Sequence, residues 1–465
     1  MSLPQALQPG VIPSNTEQRI DTDILEPVIF TESFLRFQLQ NKGILNPKSK
    51  ITFSIKGHGD HDSFYPLATG VGALIERATL KVGGKTICET QDWSHLHAYK
   101  SMFIDQAVVK EREQYESARL MSSGVVYNDK TQVSDKVGMD LGKEFIDNAS
   151  GAANTEMKVR TFQKLTSEPV FSISLDDLLP VLKGLPGLPL FMINGAVQVE
   201  LTMAASVGKR ASLSAAGNNH NHSFTLDQNE CRMIADYTFL DGDDMETYRQ
   251  ENANFEHRFS EPRLTKTTLA TQAIAQNQIR NVGGAGRVVE SMIVGVSSDK
   301  MSSFFSASGA DGTSNAKTLL NDYRAIAPEM TAARTYGQLV SNVKKNDEFL
   351  YPLDRSNTAL HFHGVQDTES APPHRTRAQY SRQGDSLVAN KFEGYPVNAQ
   401  TEMTGQFFYN AYKLNDGERV DSRGLELHHK YQNLAAAQAP YTSRCWIELM
   451  KVMVITSGEV ECYYI

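Results

Sequence analysis

Hydrophobic and polar residues alternate in many short segments of this chain, with the two-residue period that is typical of a β-strand with one buried face. The clearest case is segment 34–40, in which Leu35, Phe37 and Leu39 alternate with arginine and glutamine. A different signal is the dense apolar segment 446–455, which indicates a strand buried on both faces. The predicted strands are 34–40, 51–55, 74–82, 85–88, 171–173 and 197–203 in the first half, and 288–296, 360–362, 407–411, 445–455 and 460–465 in the second.

Two glycine clusters separate predicted strands. The pair Gly83-Gly84 favours a hairpin turn, because glycine takes positive φ at no steric cost. The glycine-rich segment 283–286 is similar to a phosphate-binding loop, but such a loop needs a helix N-terminus directly after the glycines. Here the predicted strand 288–296 follows instead, so we predict a second hairpin turn.

The helical signals are few and short. Asp92 stands at an N-cap position before residues with three- and four-residue apolar spacing. Ser174 and Asp177 have the spacing of a capping box, and Gly184 is a typical C-terminal signal. The predicted helices are 92–102, 107–121, 174–184 and 315–326.

The same order of elements occurs twice along the chain: strands, a glycine turn, a long polar insertion, further strands and an apolar closing strand. A small and polar segment at 205–223 separates the two halves and indicates a linker. Many short strands with turn signals are typical of a β-sandwich or barrel, so we predict an all-β protein of two tandem β-sandwiches with long loop insertions and a few short helices. The predicted organisation is an N-terminal arm at 1–20, a first unit at 21–205 with an insertion at about 105–157, a linker at 206–224, and a second unit at 225–465 with insertions at about 297–350 and 364–400.

Composition and charge restrict the classes of protein to which this chain can belong. It has 465 residues, of which 40% are hydrophobic and 22% charged, and this excludes a wholly disordered or collagen-like chain. A net charge of −8 argues against broad nucleic-acid binding, which needs lysine and arginine to neutralise phosphates. We expect neither a signal peptide nor a membrane-spanning segment, since no suitable apolar run is present. The four cysteines are Cys88, Cys231, Cys445 and Cys462, and none forms a C-x-x-C pair, so a zinc ribbon or a thioredoxin-like site has no support. Four cysteines in a chain of this length do not make a disulfide scaffold, which favours a reducing compartment.

The strongest candidate for a metal site is His361-x-His363 on a predicted strand, because a spacing of two puts both imidazoles on one strand face. Cupins, which are jelly rolls, use such a pair together with a Glu shortly after the second His. The corresponding positions here hold Asp367 and Thr368, with Glu369 one residue further on, and the second cupin motif is absent. We therefore predict two partly exposed strand histidines rather than a metal site.

Other polar clusters carry weaker signals. Asp241, Asp243 and Asp244 lack the alternating ligands and distal Glu of a calcium loop, so a solvated turn is predicted. The most basic segment, 372–382, is predicted to be an ordinary loop or a subunit contact. Its basic and aromatic residues are Arg375, Arg377, Arg382 and Tyr380. Three histidine pairs have spacing or surroundings that do not preform a metal site: His95 and His97, His220 and His222, and His428 and His429. No nucleophile or metalloprotease motif is present, so we predict no catalytic, cofactor-binding or metal-binding residues.

Four features together resemble the double jelly-roll major capsid proteins of icosahedral double-stranded DNA viruses. They are the strand pair at 34–55, the strand, Gly-Gly hairpin, strand and helix at 74–103, the helix and turn at 177–191 that lead into the strand 194–203, and the repetition of this plan in the second half. The likeness is architectural and covers nearly the whole chain. The most similar branch comprises nucleocytoplasmic large DNA viruses, virophages and polinton-like viruses.

This resemblance implies two eight-stranded jelly rolls side by side, each perpendicular to a viral shell. It implies a structural protein without enzymatic activity or cofactor, in homotrimers with a pseudo-hexameric outline. The implied partners are neighbouring capsomers, penton and minor capsid proteins, without specific nucleic-acid binding; an internal membrane is left open. The implied location is the capsid shell of the virion, after synthesis inside the host cell. The insertions would be exposed or intersubunit loops, which fits variable loops on a rigid scaffold.

Three other functions remain open at this stage. One is a jelly-roll enzyme or cupin-like metal-binding protein, which metal analysis tests. Another is a carbohydrate-binding β-sandwich protein, which a glycan array tests. The third is a minor capsid or penton protein, although those usually carry one jelly roll and this chain is long enough for two.

Overall fold

A computed structural model describes fifteen segments of the chain, and the rest of this section concerns these residues. They are 18–56, 63–65, 70–100, 103, 125–127, 146–147, 156–157, 170–204, 225–269, 276–298, 338–350, 358–369, 409–414, 417–432 and 441–465. Several sequence predictions lie outside them: the helices at 107–121 and 315–326, the linker at 206–224 with His220 and His222, the basic segment 372–382, and most of the three insertions.

β-strands form most of the described structure, and helices are short. The strands up to Leu240 are β1 (Gln18–Leu25), β2 (Ile29–Thr31), β3 (Phe34–Leu39), β4 (Ile44–Leu45), β5 (Lys50–Phe53), β6 (Ile55–Lys56), β7 (Ser63–Tyr65), β8 (Ile75–Val82), β9 (Lys85–Gln91), β10 (Val125–Tyr127), β11 (Ile146–Asp147), β12 (Glu156–Met157), β13 (Phe171–Ser174), β14 (Leu188–Pro189), β15 (Val197–Met203), β16 (Thr225–Leu226) and β17 (Met233–Leu240). The later strands are β18 (Asn254–Leu269), β19 (Gln276–Gly283), β20 (Val289–Ser298), β21 (Gln338–Lys345), β22 (Glu348–Phe349), β23 (Asn410–Lys413), β24 (Leu425–Gln432), β25 (Tyr441–Thr456) and β26 (Glu459–Tyr464).

Four α-helices connect these strands. They are α1 (Trp93–Lys100), α2 (Leu175–Leu178), α3 (Gly242–Glu251) and α4 (Thr358–Glu369). Short 3-10 helices occur at Gly70–Leu74, Pro180–Leu182 and Leu190–Met192. None of the described helices has the length and apolar character needed to cross a membrane.

The first sandwich consists of two antiparallel sheets. One has the order β13-β5-β17-β4-β14, with β1 paired to β17, and the other has the order β2-β3-β15-β8-β9. Leu35 and Phe37 from the second sheet and Ile51 and Phe53 from the first are fully buried in one shared core. The alternation in the sequence thus has the expected cause, because the apolar side of each strand faces the opposite sheet.

The second sandwich repeats this plan with the sheets β18-β25-β20-β23 and β19-β24-β21-β22, and β26 pairs with β25. Its core joins residues such as Met292 and Ile447 in one sheet to Val343 and Leu427 in the other. The predicted strands 288–296, 445–455 and 460–465 are therefore confirmed as β20, β25 and β26, with β25 longer than predicted.

Both predicted glycine turns are confirmed. Gly83 and Gly84 have φ of 55° and 82° and join β8 to β9. Gly283, Gly284 and Gly286 have φ of 98°, 87° and 70°, and the chain then enters β20 rather than a helix. The glycine-rich segment is consequently a turn between strands and lacks the helix N-terminus of a phosphate-binding loop.

One predicted strand and one predicted helix differ from the structure. The predicted strand at 360–362 lies inside α4, and the single helix predicted at 174–184 is divided into α2 and the 3-10 helix Pro180–Leu182. The division occurs because Pro180 has no backbone N–H to continue an α-helix. Gly184 nevertheless follows this helical region with φ of 74°, the conformation expected after a helix C-terminus.

Pairing of β17 shows how the two halves of the chain interlock. β17 lies after the predicted linker, yet it pairs with β1, β4 and β5 in the first sandwich. β1 begins at Gln18, within the predicted N-terminal arm, and its eight residues pair with the whole of β17. The predicted unit boundaries stay predictions, and this pairing supports a first unit that continues to Leu240.

Candidate functional site

The two sandwiches meet along β9, which is the edge strand of its sheet in the first sandwich. Side chains from β18 and β25 bind its backbone directly. Lys451 Nζ donates to the Ile87 carbonyl at 2.5 Å, and Trp446 Nε1 donates to the Gln91 carbonyl at 3.3 Å. The Glu89 amide donates to Glu261 Oε1 at 3.0 Å. The second sandwich thereby provides hydrogen-bond partners for an edge that would otherwise be open.

Asp92 connects the two sandwiches at the end of β9. It lies between β9 and α1 with φ of 51°, a conformation that is uncommon for residues other than glycine. Its Oδ1 is 2.8 Å from His95 Nδ1, and its Oδ2 is 2.7 Å from Arg444 Nε and 2.9 Å from Lys266 Nζ. One carboxylate thus binds a histidine of α1 and two cations from β18 and β25. We call Asp92, His95, Lys266 and Arg444 the Asp92 cluster.

The electrostatics of the Asp92 cluster favour the ionised carboxylate. Burial by itself would raise the pKa of Asp92, which is only 3% exposed. The charges of His95, Arg444 and Lys266 and the hydrogen bond with His95 outweigh burial and hold the pKa well below its usual range. Asp92 is therefore a buried anion whose charge the second sandwich stabilises.

A second cluster surrounds Glu261 near the other end of β9. Lys451 Nζ lies 3.2 Å from Glu261 Oε1, and the Tyr464 hydroxyl donates to Glu261 Oε2 at 2.5 Å. Arg263 Nη2 donates to the same Tyr464 hydroxyl at 2.7 Å, and the Arg287 guanidinium lies 4.0 Å from the Tyr464 ring centre. Burial and the hydrogen bond to Glu261 raise the pKa of Tyr464. We call Glu261, Lys451, Tyr464 and Arg263 the Glu261 cluster.

Lys100, the last residue of α1, forms a third ionic contact. Its Nζ is 2.9 Å from Glu448 Oε1 on β25 and 2.9 Å from Glu369 Oε1 on α4. Burial would lower the pKa of Lys100, but the two carboxylates raise it above its usual range. The Ser291 hydroxyl donates to Glu448 Oε2 at 2.5 Å. This contact joins α1 and α4 to the sheet of the second sandwich.

A cleft of about 380 Å³ lies beside these contacts, between α1, the helical region 175–183 and β18. The Trp93 and His97 rings stack in its wall with centroids 4.3 Å apart, and Lys100 and Glu448 also line it. Within the described part of the chain, no group of three or more His, Cys, Asp or Glu is placed to hold a metal ion.

The candidate histidines do not converge on one site. His361 and His363 lie on α4, so the interpretation of this pair as strand histidines is corrected. His95 and His97 lie on α1 as predicted and have different neighbours, Asp92 for the first and Trp93 for the second.

The last histidine pair lies on β24, where adjacent residues face opposite sides of the sheet. His428 Nε2 is 3.3 Å from Glu426 Oε2, whereas His429 is buried. Burial, together with the charges of Arg280 and His428, lowers the pKa of His429 to about 3. His429 is therefore a neutral residue of the sandwich interior at physiological pH.

The acidic segment after Leu240 is the start of a helix and not the solvated turn that was predicted. Asp241 is the N-cap of α3, and its side chain accepts a hydrogen bond from the Gly242 amide. Asp243 and Asp244 lie in the first turn, where their charges interact favourably with the helix dipole. This placement explains the cluster without a calcium ion.

Sequence reasoning did not identify the cluster residues of β18 and β25 as a site. A signal was present on β25, because Glu448 and Lys451 interrupt an apolar segment that is buried on both faces. A charged residue in such a position needs a buried partner. The partners of Glu448 and Lys451 lie far away in the sequence, so local residue spacing could not identify them.

No protein-family model and no curated protein matches this chain. Solved structures do match it. The crystal structure of PBCV-1 VP54, fitted into a reconstruction of the virophage Sputnik, has a TM-score of 0.57 at 11% identity and covers 97% of this chain and 98% of that chain. A cryo-EM structure of the Sputnik virophage gives 0.55 at 12% identity, with 97% and 89% covered. A chain of the PBCV-1 virus capsid gives 0.54 at 12% identity, with 97% and 98% covered. The chain has the double jelly-roll fold of these capsid proteins, and the prediction of two tandem jelly rolls is confirmed.

Proposed function

We propose that this protein is the major capsid protein of an icosahedral double-stranded DNA virus. The observation that carries the proposal is the similarity to a PBCV-1 capsid chain over 97% of the present chain, which includes both jelly rolls. A single-roll penton or minor capsid protein would match only one half. The third alternative from the sequence is therefore the least favoured.

A rigid unit of two jelly rolls suits the geometry of a shell. Three chains contribute six rolls, so a trimer has a nearly sixfold outline and tiles a hexagonal lattice. The two sandwiches are joined by the buried Asp92–Arg444 ion pair and by hydrogen bonds to the edge strand β9, which supports a fixed unit of this kind. In this function the charged clusters hold sheets together and no chemical reaction is involved.

The remaining expectations become parts of the same proposal. The first roll continues through β17, and the second begins with β18 after helix α3. Partners are further copies of the chain, then penton and minor capsid proteins, without specific nucleic-acid binding; an internal membrane beneath the shell stays open. The protein is made inside the host cell and resides in the capsid shell.

Ile20 and Ile24 on β1 are 72% and 62% exposed and provide apolar surface suited to a contact between subunits.

Light scattering after size-exclusion chromatography tests this proposal. We expect a stable trimer with three times the 51.6 kDa mass of one chain, because closed capsid oligomers bury large obligate interfaces. Electron microscopy of the same fraction is expected to show particles with a hexagonal outline. A monomer that persists at high concentration would contradict the proposal, and metal analysis and a glycan array would then test the cupin-like and carbohydrate-binding alternatives.

A further inference from the structure

Besides the Lys100–Glu448 contact, the junction of the two rolls contains two charged anchors at β9, one at Ile87 and Glu89 and one at Asp92. At the first, Lys451 and Glu261 bind the backbone of Ile87 and Glu89. At the second, the Asp92 carboxylate binds Arg444 and Lys266. Every one of these contacts joins a residue of the first roll to a side chain of β18 or β25.

The distance between the two anchors determines whether they can restrict rotation of one roll against the other. In strand geometry, Ile87 and Asp92 are roughly 17 Å apart, and Glu261 and Lys266 on β18 are separated by about the same distance. A single contact point between two bodies permits rotation about that point. Two contact points at this separation oppose rotation in the plane that contains them.

The chemistry of the anchors indicates that they determine the orientation of the two rolls more than they add to the free energy of unfolding. Apolar burial is not directional, so the apolar contacts between the rolls, such as those of Phe255 and Met453 with the first core, specify the angle less sharply than hydrogen bonds and ion pairs do. Buried ion pairs contribute little net stability but disfavour arrangements that leave a charge unpaired. Rotation of one roll against the other would separate the buried charges of Asp92 and Arg444. It would also break the hydrogen bonds of the buried Lys451 and Glu261 side chains to the backbone of β9.

We propose that the Asp92 and Glu261 clusters set the angle between the two rolls as a two-point clamp, and that loss of either cluster loosens this angle. The relevance of a fixed angle to a shell rests on the proposed function. The clamp itself is a property of one chain. The capsid lattice then depends on the angle that these charges select.

Distance measurements between spin labels test the clamp. Labels are placed at the exposed positions Glu32→Cys in the first roll and Glu348→Cys in the second, in a Cys462→Ser background. Labelled chains are mixed with excess unlabelled chains, so that only distances within one chain contribute. We expect one narrow distance distribution for this parent protein.

Asp92→Asn and Glu261→Gln each remove one anchor with little change in side-chain shape. We expect each to widen the distance distribution at least twofold, and the double variant to widen it further. Asp243→Asn, an exposed acidic residue of α3, is the matched control and is expected to leave the width unchanged. Hydrogen exchange of β3 and β20 confirms that each roll remains folded. An unchanged width in a folded double variant would overturn the proposal.

Milder variants keep the test decisive if the first set does not fold. Lys266→Met removes a half-exposed partner of Asp92, and Tyr464→Phe removes the hydroxyl that binds Glu261. Each is expected to widen the distribution by a smaller factor, and an unchanged width in both would again overturn the proposal. Light scattering on the same samples separates the two proposals, because a monomer with a narrow distribution contradicts the capsid function and leaves the clamp intact.

Discussion

The Asp92 carboxylate lies 2.7 Å from the Arg444 guanidinium Nε, although 352 positions separate the two residues in the chain. This contact joins the residue that precedes α1 to the long strand β25. Both side chains are almost completely buried. A pair of charges removed from water in this way stabilises a structure only while both partners are present.

Asp92→Asn is expected to lower the free energy of unfolding by about 3–5 kcal/mol, because it leaves the buried Arg444 without a counter-charge. Urea unfolding monitored by circular dichroism measures this change. Asp243→Asn, an exposed change of the same type, is expected to stay within about 0.5 kcal/mol of the parent. Equal effects of the two substitutions would show that Asp92 does not stabilise the junction.

The stability contributed by Asp92 is expected to depend on pH in a defined direction. Because the pKa of Asp92 is depressed in the folded protein, its contribution is complete above the unfolded value of about 3.9 and is lost as pH falls towards the folded value. The difference in unfolding free energy between the parent and Asp92→Asn should thus be present at about pH 5 and shrink below about pH 4. Urea unfolding at a series of pH values measures it. A difference that grows with acidity would contradict the assignment.

The four cysteines are expected to differ in reactivity towards a thiol reagent. Burial raises the pKa of Cys88 and Cys445 to about 12 and that of Cys462 to about 11, and only Cys462 is partly exposed. At pH 8 the native protein should react slowly and first at Cys462, with all four thiols reacting after denaturation. Mass spectrometry identifies the modified residue, and Cys462→Ser should remove the early product. Early modification of Cys88 would contradict the described core.

Glycine-to-alanine substitutions at three positions are expected to have different costs. Gly295→Ala places a methyl group 2.4 Å from the Tyr409 ring and should destabilise the second roll by about 1–3 kcal/mol through overpacking. Gly84→Ala meets no atom within 4 Å, but φ of 82° should cost about 1–2 kcal/mol. Gly242→Ala has neither problem and serves as the control. Thermal unfolding of the three variants measures these costs, and an unaffected Gly295→Ala would show that Tyr409 does not pack there.

The strands predicted from alternation correspond closely to the structure, and the reason is local. Segment 34–40 became β3 and segment 197–203 became β15, and the apolar residues of both face one core. The prediction of a strand around His361 was wrong, because the apolar segment there is too short to show whether its period is that of a strand or of a helix. The 16-residue strand β18 was not predicted, since inward-facing charges such as Glu261 disturb its alternation.

The sequence by itself determined the fold class, the two jelly rolls, the glycine turns and the strands with clear alternation or a dense apolar run, because each of these depends on residues within a few positions of one another. Only the tertiary structure decided which charged residues are buried and paired. It also decided that β17 joins the first sheet, and that β18 and β25 contribute Phe255 and Met453 to the core of the first roll. Such choices depend on contacts between residues hundreds of positions apart, and no local pattern specifies which distant charge meets Asp92.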